Sequence, residues 1–314
     1  MTKRHLGRSH ITTEPLILGA NVFGWTADEA TSFTILDAFL AEGFNTIDTA
    51  DVYSLWVPGN DSGSEKIIGR WLKARGNRSQ IILATKVGND LGEGKSGLSA
   101  AWIVRAVENS LRRLQTDYID LYQSHVPDPK TPEEETLSAY DRLVKAGKVR
   151  VIGASNYDAG LLSHALDLSE TKGLPRYETL QNEFNLYKRD TFEGPVQDLV
   201  VREGLGAITY YGLASGFLTG KYRGQADLSQ SQRGEDVAQY LDDKGMKILA
   251  AMDQVSAETG SALAEIAIAW IIAQPGIAAP IASATSVRQV ESLARGARLT
   301  LSEAQLNLLT ASGR

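Results

Sequence analysis

An α/β fold of the (β/α)8 TIM-barrel type is what this 314-residue sequence predicts. Three features carry that reading: eight short β-type runs, amphipathic segments of helical spacing between them, and an interval of about thirty residues between the starts of the first seven runs, the size of a βαβ unit. The runs lie at Leu16 to Ala20, Asn45 to Ala50, Ile81 to Val87, Tyr118 to Ser124, Val149 to Ser155, Thr179 to Phe184, Ala207 to Tyr211 and Ile277 to Ser283. One barrel domain over 1–314 accounts for the length, because α/β barrels reach about 250 residues or more as a single unit.

The connecting segments follow in order. From Ala27-Asp28-Glu29-Ala30 to Ala41, the residues Phe33, Leu36, Ala38, Phe39 and Leu40 recur at near-helical spacing and Gly43 reads as the C-cap. Ser99 to Leu114 sets Ile103, Val107, Leu111 and Leu114 on one core-facing stripe. In Thr131-Pro132-Glu133-Glu134, the Thr reads as an N-cap, the Pro as the first helical residue and the two Glu as a first turn that complements the helix dipole, ahead of Leu137, Tyr140, Leu143 and Val144. Ser283 to Val290 opens another helix, and Leu301-Ser302-Glu303-Ala304-Gln305 a last one. The competing architecture, an open doubly wound sheet, would show Gly-x-Gly-x-x-Gly after its first strand, whereas Leu18-Gly19-Ala20-Asn21-Val22-Phe23-Gly24 does not have that spacing. About seventy residues separate the last two runs, and the polar stretch Arg223 to Asp236 reads as a mobile loop inside an extension over about 212–240.

Composition narrows the chemistry. With no Cys, a thiol nucleophile, Cys-ligated zinc and an iron–sulfur cluster are excluded, and the four His (His5, His10, His125 and His164) have no metal-ligand spacing, so no metal is expected. A net charge of -6 argues against a nucleic-acid partner. The N-terminal apolar stretch is too short for a signal peptide, and the apolar region Leu263 to Ala282 is interrupted by Glu265, Gln274 and Pro275, so no membrane span is expected and a cytoplasmic protein is.

In a barrel the strand C-termini form the reactive mouth. Polar residues there are Asp48 and Tyr53 after the second run, Lys86 in the third, His125 after the fourth, Ser155 and Asn156 after the fifth and Gln181 in the sixth. Singly, each has an ordinary reading: a turn or cap Asp, a solvated Lys, a structural His, a turn pair in Ser155-Asn156, a Gln that satisfies neighbouring backbone. Together they make a proton-transfer set. A Tyr hydroxyl, with an ordinary pKa of about 10, yields its proton when a Lys ammonium stabilises the phenolate, an Asp holds that Lys charged, and a His donates a hydrogen bond to a carbonyl oxygen.

The sequence resembles the aldo-keto reductase family over nearly its whole length. The matching segments are Phe44-Asn-Thr-Ile-Asp48-Thr-Ala-Asp51-Val-Tyr53, Leu83-Ala-Thr-Lys86-Val, Asp117-Tyr-Ile-Asp120-Leu-Tyr-Gln-Ser-His125, Val151-Ile-Gly-Ala-Ser155-Asn156, Leu180-Gln181-Asn-Glu-Phe-Asn185 and Leu218-Thr-Gly-Lys221-Tyr. The resemblance implies an oxidoreductase that reduces aldehydes or ketones to alcohols by hydride transfer from NAD(P)H. It implies Tyr53 as proton donor tuned by Asp48 and Lys86, with His125 aligning the carbonyl. It further implies that Ser155, Asn156 and Gln181 hold the nicotinamide amide, that Tyr210 stacks on the ring, and that the loop carrying Leu213, Ser215, Gly216 and Lys221 takes the pyrophosphate.

The chain departs from the family pattern at two places. Tyr211-Gly212 stands where Ser-Pro is usual, and Ser283, Ala284, Thr285 and Ser286 precede Gln289 where a Lys or Arg is usual, with Ser292-Leu293 in place of Glu-Asn. Hydroxyls at a helix N-terminus can bind a 2′-phosphate, and Arg288, Arg295 or the stretch Arg223 to Arg233 could supply a cation. NADP(H) is the expected cofactor, with NAD(H) as the alternative. Trp25 and Trp56 are candidates for an apolar substrate wall, or else pack under a loop. The competing functional class is a nicotinamide-binding regulatory subunit of the channel β-subunit type, which the resemblance also covers.

Overall fold

The computed structural model describes residues 2–230 and 234–314. A short antiparallel hairpin comes first, β1 (Arg4–His5) with β2 (Thr12–Thr13). Eight mutually parallel strands follow: β3 (Ile17–Gly19), β4 (Thr46–Asp48), β5 (Ile82–Val87), β6 (Ile119–Ser124), β7 (Val149–Ser155), β8 (Tyr177–Gln181), β9 (Gly206–Thr209) and β10 (Ile277–Ala282). They pair in chain order, and β10 pairs with β3 to close the barrel. The expected (β/α)8 architecture is the observed one.

The second run stops at Asp48 rather than Ala50, and the sixth and seventh end early for local reasons. The sixth leaves the sheet after Gln181, since the Asn182 amide donates to the carbonyls of Tyr157 and Thr191, both at 3.1 Å. The seventh stops at Thr209, ahead of Tyr211, whose φ of 57° does not fit a strand.

Helices α1 (Glu29–Ala41), α2 (Gly63–Arg75), α3 (Ala100–Leu114), α4 (Glu133–Lys145), α5 (Ala159–Lys172) and α6 (Pro195–Glu203) follow β3 to β8 in turn. Between β9 and β10 lie α7 (Gly234–Val237), α8 (Asp243–Thr259) and α9 (Leu263–Ile272), and after β10 come α10 (Val287–Arg298) and α11 (Glu303–Ser312). The Asp28 carboxylate caps α1 by accepting from Thr31 N at 2.8 Å, and the stripe Ile103, Val107, Leu111 and Leu114 of α3 is buried. Helix α4 starts one residue later than the sequence suggests: Pro132 is its N-cap, and the Thr131 hydroxyl donates instead to Asp128. Helix α10 starts at Val287, since Ser283 donates to Asn21 Oδ1 at 2.5 Å outside the helix and Ser286 is the cap.

The apolar region after Leu263 splits into buried α9 and β10. Among the described residues no single helix is long and apolar enough to cross a membrane; α8 and α9 satisfy the criterion only as a pair bent by 97°. Within the stretch Arg223 to Asp236, the described residues form a 3-10 segment over Gln225–Gln230 and the start of α7, and a 3-10 turn at Ala238–Tyr240 follows; residues 231–233 lie outside the described residues. Arg223, considered as a cofactor cation, instead makes a two-point ion pair with Asp253 at 2.7 and 2.8 Å, while Arg233 lies outside the described residues.

Two apolar layers hold the fold. One lies between strands and helices and includes Trp71, Phe39, Ile152 and Trp270. The other fills the barrel with Ile17, Leu121, Val151, Ile208 and Ile281, and is closed at the strand N-termini by Leu6 and Ile11 from the hairpin. That closure is tight, because a Cβ on Gly206 would lie 2.9 Å from the Gly7 nitrogen. Arg4 ties the hairpin down by donating to the carbonyls of Ile272 at 2.9 Å and Ile277 at 2.7 Å. The opposite rim, where the strands end, is left for polar side chains.

Candidate active site

Asp48 closes β4, Lys86 stands one residue from the end of β5, His125 follows β6, and Ser155 and Gln181 end β7 and β8. The register makes them neighbours at one rim of the barrel. They border a cleft of about 890 Å³ that runs from Trp25 and Trp56, past Tyr53 and His125, to Gln289 and Leu293.

Fully buried Lys86 sits beneath the cleft and donates from Nζ to Asp48 Oδ2 at 2.6 Å, to the Thr49 carbonyl at 2.9 Å and to Tyr53 Oη at 2.8 Å. All three ammonium hydrogens are engaged, and since Lys86 can only donate, the Tyr53 oxygen accepts and keeps its own hydrogen free. Burial works against the Lys86 charge, but Asp48 and Tyr53 outweigh it and raise its pKa. Burial also raises the Tyr53 pKa above its ordinary value, against the pull of Lys86, so the phenol is protonated at neutral pH.

His125 is set by a residue that the sequence reading did not single out. Asn89 Nδ2 lies 3.1 Å from His125 Nδ1. An amide nitrogen donates, so Nδ1 accepts and the neutral ring carries its proton on Nε2. Burial, reinforced by the charge of Lys86, pushes the imidazole pKa well below its usual value and keeps the ring neutral.

The remaining amides interlock. Gln181 Nε2 donates to Asp48 Oδ1 at 3.0 Å and to Gln123 Oε1 at 3.1 Å, while the Ser155 hydroxyl donates to the Gln181 carbonyl at 2.8 Å. Asn156, at a φ of 62°, receives the Tyr210 hydroxyl on Oδ1 at 2.7 Å and donates from Nδ2 to the His125 carbonyl at 2.9 Å. Tyr210 is thereby held against the amide cluster.

Beyond β9, Leu213 (φ −103°) is followed by Ala214, Ser215 and Gly216 at positive φ, a turn closed by the Ala214 N–H donating to the Tyr211 carbonyl at 2.7 Å and the Gly216 N–H to the Leu213 carbonyl at 2.9 Å. Among the described residues that line the cleft, Lys221 carries the one full positive charge. Ser283, Thr285 and Gln289 line the far end, with Gln289 Oε1 accepting from Thr285 N at 2.7 Å. Ser286, whose hydroxyl caps α10 by accepting from the Gln289 N–H, is not among the residues that line the cleft. Arg295, considered as a compensating cation, is paired with Glu265 at 2.9 Å, and Arg288 is exposed on the first turn of α10.

The near end is aromatic. Trp25 and Trp56 meet edge to face at 5.7 Å, Trp56 reaches Tyr53 at 6.4 Å, and Trp56 and Tyr211 are each about half exposed at the rim. Both Trp line the cleft.

Comparison with known proteins agrees with the geometry: the model of the Aldo/keto reductase family matches residues 15–314. The chain belongs to the aldo/keto reductase family. An uncharacterised oxidoreductase of Bacillus subtilis, YrpG, is 34% identical over 98% of this chain and 95% of its own. The aldo-keto reductase YhdN of the same organism is 34% identical over 93% and 86%. A probable voltage-gated potassium channel subunit beta of Arabidopsis thaliana is 31% identical over 93% and 89%. Membership places the chain among oxidoreductases that use nicotinamide cofactors.

Within this aldo/keto reductase barrel, Asp51 is a buried acid whose two carboxylate oxygens have no hydrogen-bond partner among the described residues. Burial, with the nearby Glu65 charge, pushes its pKa up to about 8. The fold therefore binds a proton that the unfolded chain releases near pH 4, and stability falls as pH rises from about 4 to 8. We expect Asp51→Asn to gain about 5 kcal/mol over the parent between pH 4 and pH 8 in denaturant titrations. A difference that stays constant across this range would mean that Asp51 is ionised in the fold.

Proposed function

We propose that the chain, acting as one barrel domain with its 212–240 segment on the cofactor side, reduces a small aldehyde or ketone to the alcohol with a nicotinamide hydride, Tyr53 supplying the proton. The observation that carries this reading is the Lys86 bond to the Tyr53 oxygen, which leaves the phenolic hydrogen free at the cleft. A reduced nicotinamide bound there supplies a hydride to the carbonyl carbon. His125 Nε2–H would hold the carbonyl oxygen, and Tyr53 would protonate it as negative charge develops. The phenolate left behind is stabilised by Lys86, whose charge is fixed by Asp48 at 2.6 Å.

The donor set suits the cofactor. With both Gln181 amide hydrogens engaged, its Oε1 is left as an acceptor for a carboxamide N–H, beside Ser155 and Asn156. Tyr210 would stack on the ring, and the loop from Leu213 through Ser215 and Gly216 to Lys221 would hold the pyrophosphate. Ser283, Thr285 and Gln289 would take the adenosine end, with Ser286 supporting it as the α10 cap. Trp25 and Trp56 would form the substrate wall.

NADP(H) is the cofactor proposed, and NAD(H) is accepted beside it, because Lys221 is the one cation among the described lining residues and it lies on the pyrophosphate loop. A cation on the 2′-phosphate gives at least about a tenfold preference. Titration of Trp fluorescence is expected to give NADPH and NADH affinities within about tenfold of each other. A preference above about a hundredfold would mean that a cation such as Arg288 reaches the 2′-phosphate.

The likeness to a plant protein named as a channel β subunit supports a second reading, a cofactor-binding regulatory subunit. An assay of both reduced cofactors against a panel of aldehydes and ketones separates the two. Steady turnover supports the reductase, and cofactor binding without turnover of any carbonyl supports the regulatory subunit.

A further inference from the structure

Asp48 and Gln181 belong to different parts of the proposed site, the proton-transfer set and the amide seat, yet they touch. The link between them is Gln123, a fully buried residue one place from the end of β6 that pairs in register with Lys86 on β5. Gln123 Nε2 donates to Asp48 Oδ1 at 3.1 Å, and Gln123 Oε1 accepts from Gln181 Nε2 at 3.1 Å. Gln181 Nε2 donates its other hydrogen to the same Asp48 oxygen at 3.0 Å, which closes a triangle of three bonds. The barrel makes room for this crossing: a Cβ on Gly153 of β7 would lie 3.2 Å from Gln123 Cγ.

We infer that Gln123 is a positioning residue that locks the amide orientation of Gln181 and the carboxylate of Asp48 together, so that cofactor amide recognition and proton donation share one hydrogen-bonded unit. The inference rests on the function proposed above and deepens it. An amide side chain can rotate to exchange its oxygen and nitrogen, and in an empty cleft nothing on the ligand side prevents this. The Gln123 oxygen prevents it from behind: a flipped Gln181 would set oxygen against the Gln123 oxygen and against the Asp48 anion. Gln181 therefore presents an acceptor to the cleft, which selects an amide N–H. On the other side, the Gln123 donor bond draws off negative charge that Asp48 would otherwise direct at Lys86 and Tyr53.

Gln123→Met and Gln123→Glu test this against the parent. The readouts are NADPH affinity by Trp fluorescence, measured from pH 5 to 9, and the pH profile of kcat for an aldehyde that the parent reduces. For Gln123→Met we expect affinity to weaken about tenfold, the loss of hydrogen bonds to charged and amide partners, and the alkaline limb of kcat to move upward, since Tyr53 then faces a less neutralised Asp48. A protonated Glu at 123 donates to Asp48 and accepts from Gln181 as Gln does, whereas an ionised Glu donates nothing and repels Asp48. Gln123→Glu is therefore expected to bind NADPH like the parent at low pH and to lose affinity as pH rises. This pH-dependent loss is a signature that a space-filling role does not produce, and it decides the matter if Gln123→Met fails to fold. Parental affinity at every pH and an unmoved kcat profile, with only a lower Tm, would overturn the inference. A parent protein that binds NADPH normally while the variants show no change brings down this inference alone; a parent that binds no nicotinamide brings down the proposed function as well.

Discussion

Tyr53→Phe is expected to lower kcat for carbonyl reduction by about 10³-fold, within the range of 10² to 10⁴ for loss of a positioned proton donor, and to leave the NADPH affinity within about twofold. The substitution removes one oxygen and keeps the ring, whose edge contacts with Trp56 at 6.4 Å and His125 at 6.0 Å hold its position. Lys86 keeps its bonds to Asp48 and Thr49, so the fold has little reason to change. Rapid mixing of the NADPH-loaded protein with aldehyde would show the loss in the hydride-transfer step itself. A variant that keeps more than a tenth of the parental rate would remove Tyr53 from the role of proton donor.

Lys86→Met carries a double penalty. It removes the charge that stabilises a Tyr53 phenolate, so kcat falls at least as far as in Tyr53→Phe. It also strands Asp48, which is 1% exposed, with only amide donors for its charge. Removing one partner of a buried ion pair costs about 3–5 kcal/mol, so Tm is expected to drop on the order of 10 °C. The second effect is separable from the first. Adding Asp48→Asn to Lys86→Met removes the stranded charge and is expected to recover much of the Tm while recovering none of the activity. If the double variant melts no higher than Lys86→Met, the stability of this rim does not depend on the charge pair.

The chemistry of the rim was legible because a barrel collects strand ends. Asp48, Lys86, His125, Ser155 and Gln181 lie in or just after β-type runs, at or beside the ends of the observed strands, and chain-order pairing makes such ends adjacent. Gln123 holds the same next-to-last place in its run as Lys86, but a neutral Gln has no charge or titratable group to mark it, and the register with Lys86 shows that it faces the barrel interior. Asn89 lies on a loop with no spacing to mark it, although its amide sets the His125 tautomer. Among the hydroxyls from Ser283 to Ser286, the sequence could not say which one caps the helix and which face the cleft, because that depends on a helix start displaced from Ser283 to Val287. Helix α2 buries Ile67, Ile68, Trp71 and Leu72 at helical spacing behind Ser62-Gly63-Ser64-Glu65, which has capping-box spacing, yet its N-cap Ser62 sits at φ 50° and makes no side-chain cap bond. The hairpin strands, at two residues each, are too short for any periodicity.

The closure of the barrel also sets a schedule for its synthesis. Strand β3 waits for β10, and Arg4 waits for the carbonyls of Ile272 and Ile277, 268 and 273 residues further along the chain. At a translation rate of about 5–20 residues per second, the first segments leave the ribosome on the order of 15–50 s before their partners exist. Through that interval Leu6, Ile11 and one side of β3 are uncovered and β3 is an unpaired edge, so the nascent chain is most open to aggregation and to holding chaperones just before its last strand is made.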